Sequence, residues 1–188
     1  ERAGFDLLAL FTGSEGLLGV ITQAPLKILR TPESAQAMMA SFASIEAAGD
    51  AVAEVIGAGI VPAGMEIMDR LSIEAVEDFL GCGYPRGAAA LLLAEVDGPA
   101  AEVDHQIQAI EACLRQAGAT DLTHADTPEA RQRLWAGRKA AFPAMGRTSP
   151  DYYCMDGTIP RGQLATVLGR IEDLSEHFGL RVANVFHA

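Results

Sequence analysis

From residue 37 onward the hydrophobic positions fall into blocks that switch between the two-residue period of strands and the 3.6-residue period of helices. Ala37–Ala43 reads as a short strand, and Ile45–Ala58 as a helix carrying Ile45, Ala48, Val52 and Val55/Ile56 on one face. Met65–Met68 is a second strand, followed by a helix from about Ser72 to Leu80 that stops at Gly81-Cys82-Gly83. Ala88–Val96 is apolar on both faces for most of its length, which predicts a strand covered on at least one side by helices. Asp97-Gly98-Pro99 then opens a helix in which Val103, Ile107, Ile110, Leu114 and Ala117 recur until Gly118 ends it. After a weaker strand at Ala119–Ala125, Thr127-Pro128 caps a helix that places Trp135, Arg138 and Phe142 on one face, and a polar connection follows from Arg147 to Asp151. Tyr152–Pro160 is expected as a strand, then a helix with Leu164, Val167, Leu168, Ile171, Leu174 and Phe178 inward, and Leu180–Phe186 as the last strand. This alternation predicts an α+β, ferredoxin-like domain, a mostly antiparallel sheet with helices on one side.

Upstream the pattern differs. Two strand-like runs, Phe5–Phe11 and Val20–Ile28, flank Thr12–Gly19, where three glycines and one acid fall within eight residues. Glycines so spaced permit positive φ and let backbone N–H groups approach a ligand, but a tight turn without a ligand needs the same residues. Arg30-Thr31-Pro32-Glu33-Ser34 punctuates the chain, so residues 1–30 are expected as a strand–loop–strand remnant of one domain and 31–188 as another. The strand-like character of both ends leads us to expect a fragment of a longer protein.

Composition narrows the function classes. At 188 residues and 49% hydrophobic content the chain can bury roughly 70% of its unfolded surface. Twenty-five acidic against 14 basic residues give a net charge of −11 with no basic stripe, which argues against nucleic acid as a partner. No run reaches the ~18 apolar residues of a membrane span, and the N-terminus lacks signal-peptide order. Cys82, Cys113 and Cys154 are far apart and in no ligand spacing, which fits a reducing cytoplasm. Two readings of Arg138 stay open, a stem laid over apolar surface with its head in water, or a planar fork held ready for a carboxylate. His105 lies off its helix's apolar stripe and reads as solvated, and a lone His187 near the end is structurally neutral.

Specific segments carry a family resemblance. Phe11–Thr22 resembles the T-G-S-E-G-T-L-G-I-I-T segment of FAD-linked oxidases of the vanillyl-alcohol-oxidase type, with Leu17 in place of the usual Thr. Pro62–Arg70 resembles the P-x-x-x-E-x-M-D segment of the C-terminal cap domain in flavin-linked 2-hydroxyacid dehydrogenases, Trp135–Lys139 its W-x-x-R-[EK] helix, and Val185–Ala188 the start of its histidine segment. Asp151–Arg161 together with Val182–Ala188 is similar to the glycolate-oxidising members of that family.

The resemblance implies an FAD cofactor contacted by Gly13, Ser14, Glu15, Gly16, Gly19 and Val20. It implies that Arg138 binds the substrate carboxylate, and that His187 is one ligand of a divalent metal such as zinc. The other ligands and the base would lie beyond Ala188. Phe142 and Cys154 stand where hydroxyglutarate enzymes have polar contacts to a second carboxylate, which implies a small substrate such as glycolate or D-lactate. Flavin and iron–sulfur partner subunits, through which a cytoplasmic protein could associate with a membrane, are implied in the same way. These 188 residues alone are expected to be inert. The βα alternation by itself would equally permit a stand-alone sensor or interaction domain.

Overall fold

The computed structural model describes residues 4–188, which fall into two compact units, one ending at Thr31 and the other spanning Pro32–Ala188. In the first unit the expected strand–loop–strand is not formed. Leu7–Phe11 is a short helix, α1, whose N-cap Asp6 accepts hydrogen bonds from the Leu8 and Ala9 backbone N–H groups at 3.1 and 3.2 Å. Local bonds of this kind satisfy a short apolar run that has no ladder partner. Residues 20–28 form no regular element and pair with no strand among the described residues.

The second unit runs β1 (Ser34–Phe42), α2 (Ile45–Gly57), β2 (Gly64–Asp69), α3 (Arg70–Phe79), β3 (Ala90–Gly98), α4 (Ala100–Gln116), β4 (Asp121–Ala125), α5 (Pro128–Thr148), α6 (Leu164–Phe178) and β5 (Val185–His187). Ser44, Asp69 and Thr127 cap α2, α3 and α5 by accepting from the N–H three residues on, which ends each preceding strand or loop sharply. The five strands form one antiparallel sheet in the order β4-β1-β3-β2-β5. The α+β class and the antiparallel sheet are as the periodicity predicts.

The placement of the helices is not. Met38, Ala40 and Phe42 of β1 with Leu92, Ala94 and Val96 of β3 face α2, α4 and α6, while Ala37, Met39, Leu91 and Leu93 face α3 and α5. The sheet is therefore covered on both faces, not one. This explains why Ala90–Ala94 shows no alternation, since every residue of that run is fully buried. On the first face α6 comes close to α2, where a Cβ on Gly49 would lie 3.1 Å from the Ala165 backbone.

Four more expectations need correction. Tyr152–Pro160 is not a strand, having no sheet neighbour, and α5 continues through Pro143 to Thr148 because Ala141 and Ala144 keep its inner face packed. In α6 only Leu164 and Leu168 are buried, while Leu174 and Phe178 are exposed beyond the end of its contact with α2. The last strand is only Val185–His187, with His187 inside it.

That short edge strand is held by a polar clip. The buried side of Asp69 accepts from the Asn184 backbone N–H at 2.6 Å and its side-chain amide at 2.9 Å, while the Asn184 carbonyl accepts from the Asp69 N–H and the Ser72 hydroxyl. Burial pushes the Asp69 carboxyl up from its usual range, against the lowering pull of the Ser72 and Asn184 hydrogen bonds. The clip fixes where β5 joins β2.

The centre of the sheet should dominate stability. Leu92→Ala is expected to destabilise this chain by about 2–5 kcal/mol in urea unfolding, whereas Phe178→Ala, exposed in α6, should stay within about 0.5 kcal/mol.

Candidate functional site

On the α3/α5 face of the sheet, α5 lays three side chains across successive strands. Arg131 donates to the Ala35 carbonyl of β1 at 2.6 Å and lies 3.9 Å from the Glu95 carboxylate of β3. Trp135 donates its indole N–H to Glu95 at 2.6 Å, its ring resting over Gly64, the direct partner of Glu95 on β2. Arg138 donates Nε–H to Glu66 Oε2 of β2 at 2.9 Å. Residues 131, 135 and 138 share one helical face, and their rises of about 6 and 4.5 Å are close to the strand spacing of about 4.8 Å.

Glu66 has a second partner. Its Oε1 lies 2.5 Å from His187 Nδ1, the two residues being direct partners in the β2/β5 ladder. Nδ1 is thus the ring nitrogen that meets the carboxylate, and Nε2 is the one left without that contact. The side chain of Glu66 is 7% exposed, that of Arg138 23% and that of His187 88%. A buried acid thus holds a half-buried arginine by one edge and an exposed imidazole by one nitrogen. The terminal nitrogens of Arg138 make no protein hydrogen bond among the described residues, and its two coplanar NH2 groups remain for an incoming carboxylate.

The helix under Arg138 is itself braced. Tyr84 donates its hydroxyl to the Leu134 carbonyl and accepts from the Arg138 backbone N–H at 3.0 Å, standing between the two groups that an i→i−4 bond would join. Gly137 allows this approach, since a Cβ there would lie 2.5 Å from the Tyr84 ring. The loop bearing Tyr84 is anchored by Glu77, whose Oε1 accepts from the Tyr84 N–H at 2.8 Å and the Cys82 thiol at 2.9 Å. Burial, then the Glu77 carboxylate, pushes the Cys82 thiol up to about 12, and burial likewise pushes the Tyr84 phenol up.

Arg138 and His187, singled out from the sequence, thus meet on one carboxylate. The glycine-loop residues lie in the other unit and form a separate candidate site. Gly13 and Gly16 have φ of +78° and +81°, with open space where a side chain would stand, and Glu15 also has positive φ. Ser14 forms the turn by donating its N–H to the Phe11 carbonyl and accepting from Leu17 N–H. Thr12, Gly13, Ser14, Glu15 and Leu17 help line an open depression of about 290 Å³. Gly19 answers a packing need, since a Cβ there would meet the Phe11 ring at 2.7 Å, and Val20 is exposed. Among the described residues no three His, Cys, Asp or Glu side chains converge as a metal cluster, so His187 is a single candidate ligand. No helix there is long and apolar enough to cross a membrane.

Glu66, Glu95, Arg131 and Tyr84 were not assigned from the sequence. One signal was available. Glu66 alternates onto the same strand face as Met68, and an acid inside a two-sided sheet requires a cationic partner. The Arg131, Trp135, Arg138 spacing supplies it.

Comparison with known proteins follows the same residues. Residues 31–188 match the family model described as FAD linked oxidases, C-terminal domain. Glycolate oxidase subunit GlcD of Escherichia coli strain K12 is 56% identical over the whole chain, which covers 38% of that protein. Its namesake in Bacillus subtilis strain 168 is 34% identical over the whole chain and 40% of its own length. A probable mitochondrial D-lactate dehydrogenase of Danio rerio is 32% identical over 88% of the chain and 33% of its own length. The chain therefore spans well under half the length of the curated relatives it matches. Two crystal forms of alkyldihydroxyacetonephosphate synthase share the fold, with TM-scores of 0.66 and 0.70 at 20% and 19% identity, over 94% and 100% of this chain and 38% and 39% of theirs.

Two outcomes check the bracing of α5. Gly137→Ala should displace the Tyr84 ring and destabilise the chain by about 1–3 kcal/mol in thermal unfolding. Alkylation at pH 8 followed by mass spectrometry should label exposed Cys154 well before Cys82, whose raised pKa leaves almost no thiolate.

Proposed function

Because this chain belongs to the FAD-linked oxidases, we propose that it forms the substrate side of an FAD-dependent 2-hydroxyacid dehydrogenase that oxidises glycolate to glyoxylate. The observation that carries this reading is Arg138, held by Glu66 through Nε alone with its terminal nitrogens left for a carboxylate. Similarity to the two glycolate oxidase subunits supports glycolate as the substrate. In keeping with it, Phe142, one helical turn beyond Arg138, packs edge to face on Tyr152 at 5.4 Å and brings no cation for a second carboxylate at that position.

When bound, FAD supplies the acceptor for the hydride leaving C2 of the substrate. This chain's part is recognition and placement. Arg138 neutralises the substrate carboxylate and fixes the direction from which C2 is presented. His187 would hold a divalent metal such as zinc through Nε2, the ring nitrogen not in contact with Glu66, in keeping with the carboxylate or carbonyl that usually stands beside the other nitrogen of a ligating imidazole. Gly13, Ser14, Glu15 and Gly16 would approach the flavin nucleotide through their backbone, as positive φ and open space at both glycines permit. Gly19 and Val20 would complete that edge.

Residues 1–30 are assigned to the C-terminal part of an FAD-binding domain and 31–188 to the cap domain. The start of the family match and the division between the compact units support this, as does the exposure of Leu17, Val20, Ile21, Leu26 and Ile28 in a stretch so apolar. The word subunit in both relatives' names supports a multi-subunit assembly; flavin and iron–sulfur partners and a cytoplasmic place rest on the family resemblance alone.

Full-length protein carrying FAD should lose its flavin absorbance on addition of glycolate, and should turn over glycolate faster than D-lactate with an artificial electron acceptor. In that protein Arg138→Ala should raise KM for glycolate about 10–100-fold, the loss of one or more charge-assisted hydrogen bonds of about 1.5–3 kcal/mol each. An unchanged KM would remove Arg138 from carboxylate binding.

A further inference from the structure

We propose that Tyr84 is a positioning residue, its hydroxyl fixing the turn of α5 from which Arg138 reaches toward the substrate carboxylate. The inference rests on the carboxylate role proposed for Arg138 and adds the residue that sets where that side chain begins. Three observations carry it. Tyr84 is 4% exposed, and its hydroxyl donates to the Leu134 carbonyl and accepts from the Arg138 backbone N–H at 3.0 Å, so both bonds go to one turn of α5. Gly137, immediately before Arg138, leaves room for the ring, although glycine in a helix interior is unfavourable against alanine. Tyr84 is also anchored away from α5, its N–H donating at 2.8 Å to Glu77 near the end of α3.

Stability alone does not account for the hydroxyl. Without it the Leu134 carbonyl and the Arg138 N–H could bond to each other, as i→i−4 partners do throughout a helix. A phenylalanine would then fill the same space with no buried phenol to desolvate, and the net gain from the two phenol bonds is small. What the hydroxyl adds is placement. It ties the peptide of Arg138 to a loop outside the helix, while Glu66 holds the other end of the same side chain by Nε at 2.9 Å. With its root and its Nε both fixed, the guanidinium keeps one direction. A rotation of that peptide would be magnified along so long a side chain, and small misplacements of a binding group are costly.

Tyr84→Phe in the full-length flavoprotein tests this, because it keeps the ring and removes only the hydroxyl. The probe is oxamate, a two-carbon monocarboxylate with no C–H bond to oxidise, titrated calorimetrically. Y84F should weaken oxamate about 3–10-fold, with flavin content and melting temperature close to wild type. In an Arg138→Ala background the same substitution should change oxamate affinity by less than about twofold, since the hydroxyl acts only through Arg138. A merely structural role would weaken both backgrounds alike. If Y84F does not retain flavin, Glu77→Ala, which frees the Tyr84 loop at its other anchor, decides by the same cycle.

Oxamate affinity within about twofold of wild type, or equal weakening in both backgrounds, overturns the positioning role while Arg138→Ala alone still weakens oxamate. Oxamate affinity unchanged by Arg138→Ala overturns the parent reading and the positioning role together.

Discussion

An acid buried inside a two-sided sheet must find its partners within the protein, and Glu66 is where that requirement organises the second unit. Its strand is packed by α2 and by α3, so neither face of the sheet offers it water. Neutralisation has to arrive from a neighbouring element, and α5 delivers it. Once Arg138 is tied to β2, the same helix face brings Trp135 and Arg131 to Glu95 one strand over. Three polar contacts along one helix then hold α5 in a single register, since a shift of one turn would leave both carboxylates without their donors.

The fold was legible where side-chain periodicity alone decides it. Met38, Ala40 and Phe42, or Val103, Ile107, Ile110 and Leu114, reveal their faces directly. The continuous run through Ala90–Ala94 announced a central strand but could not say how many sides were covered, because a two-sided strand and a one-sided apolar strand differ only in what packs above them. Periodicity also overreached. Leu174 and Phe178 continue the α6 stripe beyond anything that buries them, and Tyr152–Pro160 is strand-like in composition yet has no ladder to join. A strand is defined by a partner, which a local pattern does not contain.

The candidate site was legible in part for a related reason. Arg138 and His187 could be named from resemblance, and their residue types already state what they could bind. Glu66 sat in a quoted motif without a role, because its importance lies in two distances and not in its own chemistry. Tyr84 was less visible still. Nothing in the sequence around Gly83-Tyr84-Pro85 marks a ring that reaches a glycine 53 residues later.

That ring has a consequence for binding entropy. A surface arginine carries about 2 kcal/mol of rotamer freedom, much of which it forfeits on gripping an anion. Arg138 forfeits part of that freedom during folding, because Glu66 restrains its stem and the Tyr84 hydroxyl sits against the peptide from which it grows. A small carboxylate bound there, as proposed, would meet a group already partly at rest, and its affinity would be spared part of that ordering penalty.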